Sequence, residues 1–185
     1  DRWIGKYAIG WPLLLALGER VDAGWLVNPA LGALTVVLIY LLGRDLYGRQ
    51  IGVLAGALGL ASPFFLIQSS TFMSHAAGAL WAALLAWAWL RTDMAQAVGK
   101  RGHGWAALGG LAAGMLVLTR PMTAVAVGLP FAAVLAVRVA RDPRGIPRLF
   151  DQYWPFALVA ALVTALQPAY LYAVTGSPAT NLYTL

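Results

Sequence analysis

The sequence predicts an all-α, polytopic integral membrane protein with about six transmembrane helices and both ends on the outer side. Three observations carry that reading. First, 61% of the 185 residues are hydrophobic and only 11% are charged, against roughly 25% charged in a soluble domain. Second, the charges fall in short clusters separated by long uncharged runs, the pattern of repeated membrane crossings. Third, the basic residues alternate between loops in the way that orients such proteins. Backbone in lipid must satisfy its own hydrogen bonds, so each crossing is expected to be a helix. The net charge of +6 therefore reads as a topology signal, and no nucleic-acid partner is implied. With no cysteine in the chain, disulfides and thiolate metal sites are excluded.

Six apolar segments follow in order: Trp25–Gly43, Ile51–Ile67, Phe72–Leu90, Trp105–Leu118, Met122–Val137 and Tyr153–Val174. Gly52/Gly56 and Gly110/Gly114 have the small-xxx-small spacing that lets helices approach closely. The fourth and fifth segments form one apolar stretch interrupted only by Thr119-Arg120-Pro121. Arg91, Lys100 and Arg101 precede this stretch, and Arg138, Arg141, Arg144 and Arg148 follow it. Positive loops belong inside, so the chain must cross twice and turn at Arg120. Nine of the thirteen Lys and Arg then lie in cytoplasmic loops, and Arg2, Lys6, Arg20 and Arg120 lie outside. Residues 1–24 become an outer-face loop with an interfacial helix, residues 25–174 the six-helix region, and residues 175–185 the start of a following outer loop. Trp25, Trp81, Trp87, Trp89, Trp105 and Trp154 are placed to anchor at the interfaces.

The polar residues outside the cytoplasmic loops collect at one end. Lys6, Tyr7, Gln68, Ser69, Ser70, Thr71, Ser74, His75, Thr119, Arg120 and Thr123 all fall on the outer side. Helices three and five begin there, with positive dipole ends and free N–H groups. Ser69-Ser70-Thr71 offers capping chemistry for helix three, and Pro121 suits the first position of helix five. His75 is expected one turn into helix three. With Lys6 and Arg120 these form an expected anion site, for which phosphate suits the bidentate fork of arginine. Each residue also has a structural use: Arg120 and Lys6 as headgroup anchors, His75 as a bonded core histidine, the serines as a turn. No carboxylate is expected inside any helix, which argues against an ion-coupled pump. Nucleotide-binding and metalloprotease motifs are missing from the sequence. No cofactor is expected, and divalent-metal dependence stays open because no cluster has ligand spacing.

The stretch KYAIGWPLLLALG, Lys6 to Gly18, poses its own question, since its apolar run is far too short to span. It resembles the KYPPGWPLLLALG-like element of bacterial polyprenyl-phosphate-dependent glycosyltransferases. These are C-type membrane enzymes related to protein O-mannosyltransferases and the lipid A aminoarabinose transferase. Residues from Asn28 to Trp81 look like the next three helices of that family. GMLVLTRPMTAVAVGLP resembles its LTRP element, and YLYAVTGSPATNLYTL the stretch opening a later outer loop. The resemblance implies a multi-pass protein of the bacterial cytoplasmic (inner) membrane. Such a protein takes a sugar from a polyprenyl-phosphate carrier and passes it to an acceptor on the outer face. It also implies that Lys6 and Arg120 contact phosphate, with His75 beside them where many relatives carry Asp. Tyr7, Trp11, Gln68, Ser70 and Ser74 would line the substrate. Ala8-Ile9 replaces the family's Pro-Pro and leaves the loop less rigid. The family's catalytic acid is expected upstream of residue 1, in a longer chain, so no catalytic residue is assigned. Membrane lipids and a larger membrane complex are the remaining expected partners. Two other readings stay open: a non-catalytic subunit on the same scaffold, and a lipid carrier or flippase.

Overall fold

The computed structural model describes residues 8–178. They form nine α-helices: α1 (Gly10–Glu19), α2 (Val27–Tyr47), α3 (Arg49–Ala61), α4 (Pro63–Ser69), α5 (His75–Ala97), α6 (His103–Thr119), α7 (Pro121–Arg141), α8 (Ile146–Thr164) and α9 (Leu166–Thr175). Among the described residues there is no strand. Gly24–Tyr47, Pro121–Arg141 and Pro143–Thr175 are long and apolar enough to cross a membrane, and the pair α3–α4 qualifies as a fourth span if its bend is allowed. Helix α6 is apolar but has only 17 residues. Helix α5 has 23, yet its three tryptophans, Arg91 and Asp93 hold its hydropathy down.

The helix breaks follow local chemistry. Gly48 alone joins α2 to α3, at φ +95, a conformation only glycine adopts cheaply. The predicted segment Ile51–Ile67 is not one straight helix: it bends by 66° between α3 and α4. Pro63 cannot donate to the preceding turn. Ser62 restarts the helix there by accepting from the Phe65 N–H at 3.4 Å. The α5 C-terminus closes on Gly99 at φ +69, with the Lys100 N–H on the Ala95 carbonyl and the Gly99 N–H on that of Gln96. That pairing is a Schellman closure. Between α6 and α7 only Arg120 is non-helical, so the expected turn is as tight as a turn can be.

Helix α6 is the centre of the assembly, flanked by α5 and α8. Its glycines make this possible. A Cβ on Gly110 would sit 2.3 Å from the Phe156 carbonyl oxygen, and one on Gly114 2.6 Å from Val163 Cβ. The second small-residue pair does the same at the other edge, where a Cβ on Gly52 would meet the Tyr40 carbonyl at 2.7 Å. Packing, not hydrophobicity, holds helices together in an apolar medium, and backbone-to-backbone approach supplies it.

Helix α7 differs, since it has no buried residue. Its inner end is held by Arg138, whose guanidinium grips Asp93 of α5 in a two-point contact at 2.9 and 2.5 Å. Tyr153 of α8 donates to the same carboxylate at 2.6 Å and Gln152 at 3.3 Å. Trp89 stacks on Tyr153 at 4.5 Å and packs on Phe131 and Phe156. A second acid, Asp45, receives Arg44, Trp87 and Arg91. The expectation that carboxylates stay outside the helices is thus corrected. Asp45, Asp93 and Asp151 lie within α2, α5 and α8, because those helices continue past their apolar segments. Trp87 and Trp89 belong to these clusters, Trp87 by donating to Asp45 and Trp89 by stacking on Tyr153.

Gly110→Ala should destabilise the protein by about 1–3 kcal/mol through overpacking against a backbone that cannot yield. Gly104→Ala, with open space around it, should be neutral or slightly stabilising. Thermal unfolding in detergent distinguishes them. Asp93→Asn should cost about 1–3 kcal/mol, discounted because the pair is half-buried. Asp142→Asn, exposed and outside any ion pair among the described residues, should leave the unfolding midpoint unchanged.

Candidate functional site

The end of the assembly opposite Asp93 and Arg138 gathers five chain segments. Helix α1 seats its first residue on α6: a Cβ on Gly10 would lie 2.7 Å from the Leu118 carbonyl. The Trp11 indole donates to the Phe72 carbonyl at 3.2 Å. The Ile9 N–H donates to Gln167 of α9 at 3.1 Å. Asn28, 4% exposed, donates from α2 to the carbonyls of Thr71 and Met73, the latter at 2.8 Å. The α4–α5 loop is thereby fixed from both sides.

Arg120 lies at the centre of this end. Its Nη1 donates to His75 Nδ1 and its Nε to Thr123 Oγ1 at 3.1 Å. With Nδ1 accepting, the ring proton of His75 belongs on Nε2. The arginine stem crosses α5 at Gly78, where a Cβ would fall 2.7 Å from Arg120 Cδ. Glycine is required there because any side chain would lift the guanidinium away. Arg44, Arg91 and Arg138 each pair with a carboxylate, but Arg120 has no such partner among the described residues. Its Nη2 has no hydrogen-bond partner among the described residues. A half-buried cation without a counter-charge is costly, and it sits at the N-terminus of α7, which adds positive potential.

The other expected site residues distribute unevenly. Ser74 is the residue before α5 and offers no side-chain cap, and His75 is the first residue of that helix, not one turn inside it. Ser69, Ser70 and Thr71 do not cap α5. Their hydroxyls turn back to the carbonyls of Phe65, Leu66 and Gln68 and close the end of α4. The apolar run reaches Ile67, and the helix simply continues two residues further before stopping. Gln68 is half-buried and Ser70 exposed on that same end. Lys6 and Tyr7 lie outside the described residues. Two contributors escaped the sequence reading: Asn28, signalled only by Asn-Pro at a helix start, and Gly78, signalled only by a small residue one turn after His75. Among the described residues no group of three or more His, Asp and Glu is placed to hold a metal ion.

Helices of this length and composition, packed through glycine, define a polytopic membrane protein. A family model for dolichyl-phosphate-mannose-protein mannosyltransferase matches residues 6–144. The chain belongs to that family, and so to the membrane glycosyltransferases of the protein mannosyltransferase type. The matched stretch contains Lys6, His75 and Arg120 and ends after α7. No curated protein and no solved structure matches the chain.

Gly78→Ala should move the His75 imidazole nitrogen resonances just as Arg120→Gln does, because both remove the guanidinium from Nδ1. Gly128→Ala, on open surface, should leave them in place. Nitrogen-15 histidine NMR reads the difference.

Proposed function

We propose that this chain provides the donor-phosphate site of a glycosyltransferase that takes a sugar from a polyprenyl-phosphate carrier on the outer face of the membrane. The observation that carries this reading is Arg120, a half-buried cation beside His75 and Gly78 with no carboxylate partner among the described residues. In the reaction an acceptor hydroxyl attacks the anomeric carbon. The bond to the phosphate oxygen breaks, and negative charge grows on the departing polyprenyl phosphate. A guanidinium aimed at that oxygen stabilises the charge as it develops. The free Nη2 edge of Arg120 and the Nε2–H of His75 are the donors for that role, and Lys6 adds a third cation. Tyr7, Trp11, Gln68, Ser70 and Ser74 line the approach. The acceptor's general base is not assigned to any residue of this chain.

The same reading takes the chain as six crossings. α2, the bent α3–α4, α5, α6, α7 and α8–α9 alternate in direction, with residues 1–24 and 175–185 outside. Loop charge supports this orientation, as does the hydrogen bond that ties Ile9 to Gln167 at one end. Helix α1 then lies along the headgroup boundary, which explains why ten residues suffice. A bacterial inner membrane is the proposed location.

Polyprenyl-phosphate mannose is the first donor to test, in proteoliposomes with the full chain. Arg120→Ala and Lys6→Ala should each lower transfer by about 100- to 1,000-fold. Arg120→Lys should retain part of the rate, because it keeps the charge but loses the fork. Wild-type transfer in a folded Arg120→Ala variant would refute the assignment.

A further inference from the structure

A cleft of about 400 Å³ opens at the far end of the helices from Arg120, between the α5–α6 loop and the start of α8. Its walls include Lys100, Arg101, His103, Arg148, Asp151 and Gln152. The volume is that of a small-molecule site. Lys100, Arg101 and Arg148 are all exposed. None of them is in an ion pair among the described residues, although Arg44, Arg91 and Arg138 on the same end all are. Asp151 is the one carboxylate in the wall, and His103 faces it at 4.0 Å while bonding its backbone carbonyl at 2.8 Å. Three cations against one anion leave the cleft positive.

The backbone adds to this. Helix α6 starts at the cleft, and its N-cap Gly102 supplies no side chain to satisfy the first N–H groups. Gly102 packs tightly there, since a Cβ would lie 3.1 Å from the Thr92 carbonyl oxygen. The Schellman closure at Gly99 swings Lys100 off the end of α5. Beside the polar wall, α8 exposes a second feature. Ile146, Phe150 and Trp154 are 46%, 71% and 41% exposed. At spacings of four they form one apolar stripe adjoining the helix face that carries Arg148 and Asp151. A positive pocket for a phosphate with an apolar track running away from it suits an anionic lipid. A free anion would leave the track unused.

We propose that this cleft binds the phosphate of an anionic phospholipid in the leaflet opposite the Arg120 end. Basic pockets between membrane helices recognise such headgroups. The site is separate from the donor site and does not depend on it.

The test uses the full chain in detergent. Native mass spectrometry follows retention of phosphatidylglycerol against phosphatidylcholine, with inorganic phosphate as a competitor. The triple variant Lys100→Gln, Arg101→Gln, Arg148→Gln should lose on the order of 100-fold in phosphatidylglycerol affinity. Arg141→Gln with Arg144→Gln, cations of the same region outside the cleft, should lose little. Unchanged helical content by circular dichroism confirms that each variant is folded. Undiminished retention in the triple variant overturns the proposal, as does equal loss in the control variant. Displacement of the lipid by millimolar inorganic phosphate would assign the cleft to a soluble anion and overturn the lipid as its occupant.

Discussion

Helix α7 stays in the structure because two arginines at its two ends hold it to α5. Arg120 reaches His75 and Arg138 reaches Asp93, and both pairs are 45 residues apart. The constant separation means that α5 and α7 run parallel, with α6 returning between them. His75 and Asp93 are eighteen residues apart, as are Arg120 and Arg138. Eighteen residues are five full turns and about 27 Å, so each helix presents both partners on one face. That length is close to the hydrocarbon thickness of a bilayer, about 30 Å. Helix α7 is thus long and apolar enough to cross a membrane, with one contact near each of its ends.

The two ends are not equivalent. At Asp93 the charge is closed: the carboxylate accepts from a guanidinium, a phenol and an amide N–H. At Arg120 no carboxylate pairs with the cation among the described residues, and a histidine accepts one N–H without neutralising it. Both ends tie α7 to α5, one through an ion pair and the other through a neutral acceptor. Gly78 makes the open end possible by letting the arginine stem lie flat on α5. The glycines of α6 make the whole possible, since they bring α8, and with it Tyr153, close enough to complete the closed end.

Much of this was legible in the sequence, for identifiable reasons. Apolar runs and basic loops located the helices, because the membrane imposes length and charge rules on every crossing. The tight turn at Arg120 followed from loop charge alone, and Pro121 marked the helix start. The convergence of His75 and Arg120 was legible as a shared end, although not as a contact. What escaped depended on geometry that no window of sequence carries. The bend at Ser62-Pro63 required knowing that the apolar run would not override the proline. The serines before α5 read as caps because capping residues and helix-ending residues are chemically alike. Asp93 was read as loop charge because the apolar segment ends at Leu90, whereas the helix continues to Ala97 and places Asp93 against Arg138, Tyr153 and Gln152. The repeated 45-residue offset between His75–Arg120 and Asp93–Arg138 is a further signal that was present and unread.

The most direct measurement is the distance between the donor's phosphorus and the Arg120 guanidinium in the membrane-embedded protein. Solid-state NMR with phosphorus-31 in the polyprenyl-phosphate sugar and nitrogen-15 in arginine can read it, with Arg120→Lys identifying the signal. The account predicts direct contact, with a nitrogen-to-oxygen separation of about 2.8 Å. A bound donor whose phosphate shows no coupling to Arg120 would contradict it.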